Sequence, residues 1–463
     1  MTHGPIVVLH DHLDGGVRPA TVLDLARSHG VATPTDDVGE LARWFTITPE
    51  IALSDAFSRF DLVGKVMQTP EAIRRVAREG VEDLAADGVV HAELRFAPLL
   101  HTLGGLTPDE VIGAVEAGCD DAEASTGLSA RLLVCAMRDQ PLAETERAVG
   151  AALTAQARGR VVGVDLAGIE PGFLAEDHAP AFERAAEAGL GVTIHAGEMD
   201  GPHQVASALD TCAPDRIGHG WRVIDDCWVS GGRIVELGPI ATALRDSGAL
   251  LEICLTSNAS LGRPVADHPV RMLADAGFRV CLNPDDRAIT TTTARRELRL
   301  ATDHLDITPI EHAAMAERAA VSAFLPDRER GRLVEQVRSG WDISVPRLIH
   351  LAERERWDAA RVSGVYLPAE FDRDGFIHLS ALHQVLAPAN RFYRGRADLV
   401  ALVVDAHLLA DALVWEPGTD TFEHFPHLYG ALGSDAVLDV IDIGPEPDGS
   451  FLLPPALVRA VRR

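Results

Sequence analysis

The chain is nearly without lysine: Lys65 is the only one in 463 residues. A lysine Schiff-base mechanism is therefore a poor expectation. Positive charge as a whole is scarce, with 42 Lys and Arg against 69 Asp and Glu and a net charge of −27. Non-specific nucleic-acid binding needs clustered cations to neutralise phosphates, so that class is disfavoured, as is an anionic membrane surface. Paired cysteine motifs are also lacking. Cys119, Cys135, Cys212, Cys227, Cys254 and Cys281 show no CxxC spacing, and several lie in apolar runs such as LLVCAM and LEICL. They read as buried free thiols in a reducing compartment. No apolar stretch is long enough to span a bilayer. The first residues lack the basic segment of a secretion signal. The expected location is the cytoplasm, and the expected partner a small molecule. No internal repeat or low-complexity tract stands out.

What is present is a large apolar fraction, 47% of residues, enough for a substantial core. Short β-branched runs recur: IVVL (6–9), VVHAELRF (89–96), RLLVCAM (131–137), VVGVDL (161–166), GVTIH (191–195), RIG (216–218), LLEICL (250–255) and FRVCLN (278–283). Longer stretches with helical periodicity separate them, for example PEAIRRVAREGVEDLAADG and HAPAFERAAEAG. Apolar strands alternating with amphipathic helices imply a parallel sheet covered on its outer face. Eight of them predict a (β/α)8 barrel. The first crossover, 13–88, is too long for one helix and should carry extra helices near the barrel mouth. The pattern changes near 342–346, which predicts a barrel over 1–342 and a separate, smaller α+β unit over 346–463.

In such a barrel the chemistry sits just past the C-terminal end of each strand. Strand 1 is followed by His10, His12 and Asp14, strand 4 by Gly168, and strand 5 by His195 and Glu198. His219 follows strand 6, and Asp285 and Asp286 follow strand 8. His10 and His12 stand two apart on a strand, so both can point into the barrel. Three imidazoles and a carboxylate could then share one ion. Such ligands suit Zn2+, with Fe2+, Co2+ and Mn2+ as alternatives. Each motif has a plainer reading on its own: HxH can be incidental, GHG a turn, and DD a helix N-cap. Their joint appearance at strand ends favours a metal-dependent site.

HDHLDGGVRPATVLDLA, FSRFDLVGKVMQTPEAIRRVAREGVEDLAADGVVHAELRFAP, GVDLAGIE, HAGE, RIGHG, LEICLTSN and LNPDD together resemble the adenosine deaminase family over about residues 4–341. Members are metal-dependent (β/α)8 amidohydrolases that replace the 6-amino group of adenosine or deoxyadenosine. The resemblance implies His10, His12, His195 and Asp285 as zinc ligands and Glu198 as proton donor. It implies His219 as the histidine orienting the attacking hydroxide and Asp286 as a purine contact. It further implies Gly168 as the amide facing the ring, and Asp14 as the group holding the ribose 5′-hydroxyl. His12 would stand at the boundary of metal and substrate. The cysteine-ligated deaminases carry PCxxC, and no PCxxC occurs. Rivals are a sister deaminase acting on adenine or another aminated nucleoside, and a silent nucleoside-binding protein.

Ile169, Leu255, Pro284 and Arg287 depart from the family pattern, and their loops are expected to border the purine. Trp44, Phe45, Phe57 and Phe60 could cover a nucleoside or equally be inter-helix packing. Beyond the barrel, RLIHLAERERWDAARVSGVYLP, DGFIHLSALHQVLAPANRFYRG, VWEP and FEHFPHLYGAL resemble a small bacterial domain of the DUF952 type, grouped distantly with the ADP-ribosyltransferase fold. Its candidate residues are His350, His378, Ser380, Asn390, Arg391, His427 and Tyr429. Structural roles for these and a nucleotide-binding site are both open readings.

Overall fold

The computed structural model describes residues 4–51, 53–341, 347–417 and 424–462. Eight strands form one sheet in chain order: β1 (Ile6–His12), β2 (Val89–Phe96), β3 (Ser129–Met137), β4 (Val161–Ala167), β5 (Gly191–Ala196), β6 (Arg216–His219), β7 (Leu250–Ile253) and β8 (Val280–Leu282). Every neighbouring pair is parallel. β8 returns to β1 through a parallel bridge between Asp11 and Asp285. The Asn283 side chain strengthens that seam by accepting from the Leu9 and His10 amides at 2.8 and 3.2 Å. The sheet is thus the expected (β/α)8 barrel.

Both faces of these strands are buried, which is why their sequences read as continuous apolar runs. Helices cover the outside. Pro70–Ala86 begins at a Thr69 N-cap and turns Ile73, Val76, Val81 and Leu84 inward. Pro108–Thr126 and Pro309–Val321 each start with a reciprocal Thr–Glu capping box. The long first crossover holds helices Pro19–His29, Val38–Phe45, Leu53–Val66 and Pro70–Ala86, in line with expectation. Two details differ from the sequence reading. The run 250–255 ends as a strand at Ile253, because Leu255–Ser260 is a short helix whose first amides are held by the buried Glu297 carboxylate (Thr256 N–H at 3.2 Å). A hairpin of Cys227–Ser230 and Arg233–Leu237 follows β6 and was not foreseen.

The barrel interior is charged at mid-height. Arg95 reaches Asp165 at 2.9 Å and Glu252 at 2.7 Å, and Arg216 reaches Glu252 at 2.6 Å and Glu93 at 2.7 Å. All five side chains are fully buried. Such a set persists only when complete, since stripping one partner leaves a bare buried charge. Phe324 closes the floor with its ring 3.7 Å from the Arg216 guanidinium carbon. Gly163 and Gly191 make room for it: a Cβ on either would fall within 2.8 Å of that ring.

Chain contacts divide the molecule into two compact units, one of residues 1–229, 236–271 and 279–341, the other of 230–235, 272–278 and 342–463. The expected boundary at 342–346 lies outside the described residues. In the second unit, Leu399–Asp405 is the centre of an antiparallel sheet between Arg347–Glu353 and Val437–Ile443. Alternate residues of this strand feed two cores, Val400, Leu402 and Val404 on one face and Leu399, Ala401 and Val403 on the other.

Candidate active site

Strand alternation sends His10 and His12 of β1 into the barrel mouth, while Asp11 faces away and pairs with Arg287 at 2.6 Å. His195 arrives from β5. Asp285 follows β8 with φ +63°, in the left-handed region that aspartate enters more readily than most side chains. The four side chains converge. His10 Nε2 and His12 Nε2 lie 3.2 and 3.4 Å from Asp285 Oδ1, and His12 Nε2 lies 3.2 Å from His195 Nε2. His10 Nε2 and Asp285 Oδ1 are buried and make no hydrogen bond despite their closeness. Buried polar atoms are otherwise almost always satisfied. Three imidazole nitrogens and one carboxylate oxygen, two of them orphaned, fit a divalent cation. Cys254 stands near His10, His219 and Asp285, but burial raises its thiol far above neutrality, keeping it protonated.

A second layer aims these side chains. Glu252 Oε2 accepts from His10 Nδ1 at 2.9 Å, and Asp165 Oδ1 accepts from His195 Nδ1 at 3.0 Å. Each bond fixes the tautomer that leaves Nε2 free for an ion. Burial opposes ionisation of Glu252, yet Arg95 and Arg216 hold it well below the usual carboxylate range. The interior ion pairs therefore keep the ligand supports charged.

Glu198 lies just past β5, almost fully buried, with Oε1 3.5 Å from His219 Nε2. Burial, then the charges of Asp285 and Glu170, raise its carboxyl well above the ordinary value. Its loop is pinned by Glu170, whose carboxylate accepts from the amides of Glu198, Met199 and Asp200 at 3.1, 2.9 and 2.8 Å. His219 ends β6 at φ +59°, with Nε2 3.7 Å from Asp285 Oδ2. Asp14 and Asp286 each present a buried, unpartnered Oδ1. Burial lifts the Asp14 carboxyl to about 6, and burial together with Asp285 lifts Asp286 further from its usual value. Gly15 must be glycine, because a Cβ there would sit 1.8 Å from Asp286 Oδ1.

These groups line a cavity of about 280 Å³. His12, Asp14, Gly168, His195, Glu198, His219, Asp285 and Asp286 all reach it. Ile47, Phe60, Leu100, Met137 and Ile289 supply apolar wall, and no lysine or arginine lines it among the described residues. Of the aromatic covers considered, Phe60 lines the cavity. Phe45 is instead a core residue, 1% exposed, and Trp44 packs on Phe45 and Arg59. The side chain of Phe57 lies outside the described residues. None of Ile169, Leu255, Pro284 and Arg287 lines the cavity. Arg287 is turned to Asp11, and Leu255 is buried at the start of its helix.

Residues 5–340 match the family model for adenosine deaminase. The adenosine deaminase of Mycobacteroides abscessus is 41% identical over 346 residues, 73% of this chain and 95% of that protein. The chain belongs to the adenosine deaminase family. It is a hydrolase of that metal-dependent, amidohydrolase-type family. Among solved structures, the adenine deaminase of Arthrobacter aurescens is similar at 26% identity with a TM-score of 0.65, covering 73% of this chain and 98% of its own. The Arabidopsis ADAL protein complexed with IMP is similar at 28% identity and TM-score 0.62, covering 72% and 96%. Residues 351–440 match the model for a protein of unknown function, DUF952.

Sequence reasoning missed Asp165, Glu170, Glu252 and Asn258 as parts of the site. The available signal was charge inside apolar segments, GVDLAGIE and LEIC, where an unpaired carboxylate would be costly. In the second unit, His378, His427 and Tyr429 come together with Phe376 and Glu416. His427 Nδ1 and Tyr429 Oη lie 2.8 and 2.7 Å from Glu416 Oε2, and the Phe376 and His427 rings stack at 4.0 Å. The other candidates there have partners of their own. His350 is buried between the His378 carbonyl and the Tyr366 hydroxyl, and the Ser380 backbone bridges Ile349. The Asn390 amide clamps the Phe451 backbone, and Arg391 lies over the Phe392 ring.

Proposed function

We propose that the barrel removes the 6-amino group of adenosine or 2′-deoxyadenosine by hydrolysis, releasing inosine or 2′-deoxyinosine and ammonia. The observation that carries this reading is the pair of orphaned buried atoms, His10 Nε2 and Asp285 Oδ1, meeting beside the buried Glu198 carboxyl, whose pKa burial raises. His10, His12, His195 and Asp285 would hold one zinc ion, the cation best suited to three imidazoles and one carboxylate. When bound, such an ion supplies a nucleophile at neutral pH by lowering the pKa of water towards about 7.

The protein's own groups would do the rest. Glu198, whose carboxyl burial raises well above its ordinary value, would give its proton to the ring nitrogen next to the attacked carbon, which must become tetrahedral. His219 and Asp285 would hold the attacking oxygen on one face of the ring. Asp286 and the Gly168 backbone would hold the purine, and Asp14 with His12 the ribose side. The remaining proton of the attacking oxygen would pass to the amino group, which leaves as ammonia as the carbonyl forms and ring conjugation returns.

The cavity wall supports a neutral nucleoside over a nucleotide. Asp14, Asp61 and Asp285 line it with no lysine or arginine among the described residues, so a phosphate would meet like charge. The same acidic surroundings support a small-molecule partner over nucleic acid. The free cysteines, all buried but the half-buried Cys227, fit a reducing cytoplasm. We divide the chain into a catalytic barrel over 1–342 and an appended unit over 346–463. Ammonia release from adenosine, with and without chelator, tests the reading. Turnover that chelation abolishes and zinc restores is expected. Zinc-loaded protein that binds adenosine without releasing ammonia would overturn it.

A further inference from the structure

Asn258 and His268 lie behind the site and line no part of its cavity. Both are buried, and both belong to one chain of hydrogen bonds that ends on His219. The chain starts at the Val270 backbone N–H, which can only donate, and which points at His268 Nδ1 at 3.1 Å. That nitrogen therefore carries no proton, and a neutral ring must carry it on Nε2. The ring is neutral, because burial, helped by the charge of Arg263, pushes its pKa down to about 3. His268 Nε2–H then donates to the Asn258 side chain at 3.1 Å, so the atom it meets is the oxygen. The Asn258 amide nitrogen is left facing His219 Nδ1 at 3.1 Å and donates to it. His219 Nδ1 is thus an acceptor, and the His219 proton sits on Nε2, the nitrogen near Glu198 and Asp285.

We propose that Asn258 and His268 are positioning residues that transmit the polarity of one backbone amide and lock His219 as an Nε2–H donor towards the reaction centre. His219 then offers a hydrogen bond to the attacking oxygen and does not take its proton. This rests on the deaminase reading for its catalytic meaning, while the tautomer itself is independent of any activity.

The test is a long-range proton–nitrogen NMR spectrum of the full, zinc-loaded chain labelled with 15N-histidine, with His219 and His268 assigned through His219→Asn and His268→Gln. A His219 pattern protonated at Nε2 and bare at Nδ1 is expected at neutral pH. A ring protonated at Nδ1, or at both nitrogens, would overturn the proposal even if adenosine is deaminated. Asn258→Asp adds a second arm. It keeps the shape and still accepts from His268, but it can no longer donate to His219. The His219 proton should move to Nδ1 and kcat should fall about 100-fold or more, as when an oriented donor is lost, with zinc content and KM nearly unchanged. An unmoved tautomer with unmoved kcat in that variant would refute the relay. Should the variant not fold, the wild-type spectrum decides.

Discussion

The backbone amide of Asp285 donates to the carbonyl of His10 at 3.1 Å, joining residues from opposite ends of the barrel sequence at the point where their side chains converge. The His12 amide returns the favour by donating to the Asp285 carbonyl at 3.1 Å. The bridge that closes the barrel therefore also brings together the side chains proposed to hold the ion. Asp285→Ala should keep the backbone bridge and lose a ligand. Elemental analysis should find its metal content well below one per chain under conditions that fill the wild type.

Glu198→Gln removes an acid and no ligand. kcat should fall by roughly 100-fold to 10,000-fold, with metal content intact by the same elemental analysis. Near-normal kcat would remove Glu198 from its role.

Asp165→Asn replaces the carboxylate behind His195 with an amide. Losses of this kind in outer ligand partners cost about 10-fold to 100-fold in metal affinity. Competition with a chelator of known affinity should show that loss, while His195 and the three other ligands remain.

Glu297 gives a pH dependence of stability with a definite sign. Burial raises its carboxyl from 4.5 to about 7, against the bonds from Thr256 and Thr292. Between those values the folded chain keeps a proton that the unfolded chain releases. Stability contributed here is whole below about pH 4.5 and is lost as pH rises through about 7, a swing on the order of 3 kcal/mol. Denaturant titrations of Glu297→Gln across that range should show a flatter profile than wild type.

Substrate charge offers a further check. Several like charges around a phosphate should cost the 5′-monophosphate about 100-fold or more in kcat/KM relative to adenosine. Comparable turnover of both would require a cation the cavity wall does not supply.

Much of the site was legible before the fold. HDH, HAGE, GHG and the DD pair each follow a short apolar run, and in a parallel barrel that position alone sends a side chain to the mouth. The supports were harder to read. Glu252 and Asp165 look like interruptions in apolar strands until closure brings Arg95 between them. Glu170 holds three amides of another loop, and Asn258 meets His219, 39 residues away, so neither leaves a local pattern. Phe45 and Arg287 illustrate the reverse case. Phe45 read as a candidate cover and Arg287 follows the DD pair, yet packing turns one into the core and the other to Asp11.

The most direct measurement is anomalous X-ray scattering at the zinc edge from crystals of the zinc-loaded chain. One peak is predicted in the barrel, about 2.0–2.2 Å from His10 Nε2, His12 Nε2, His195 Nε2 and an Asp285 oxygen. A barrel that stays empty at full zinc loading, or an ion bound without those four, would contradict the account.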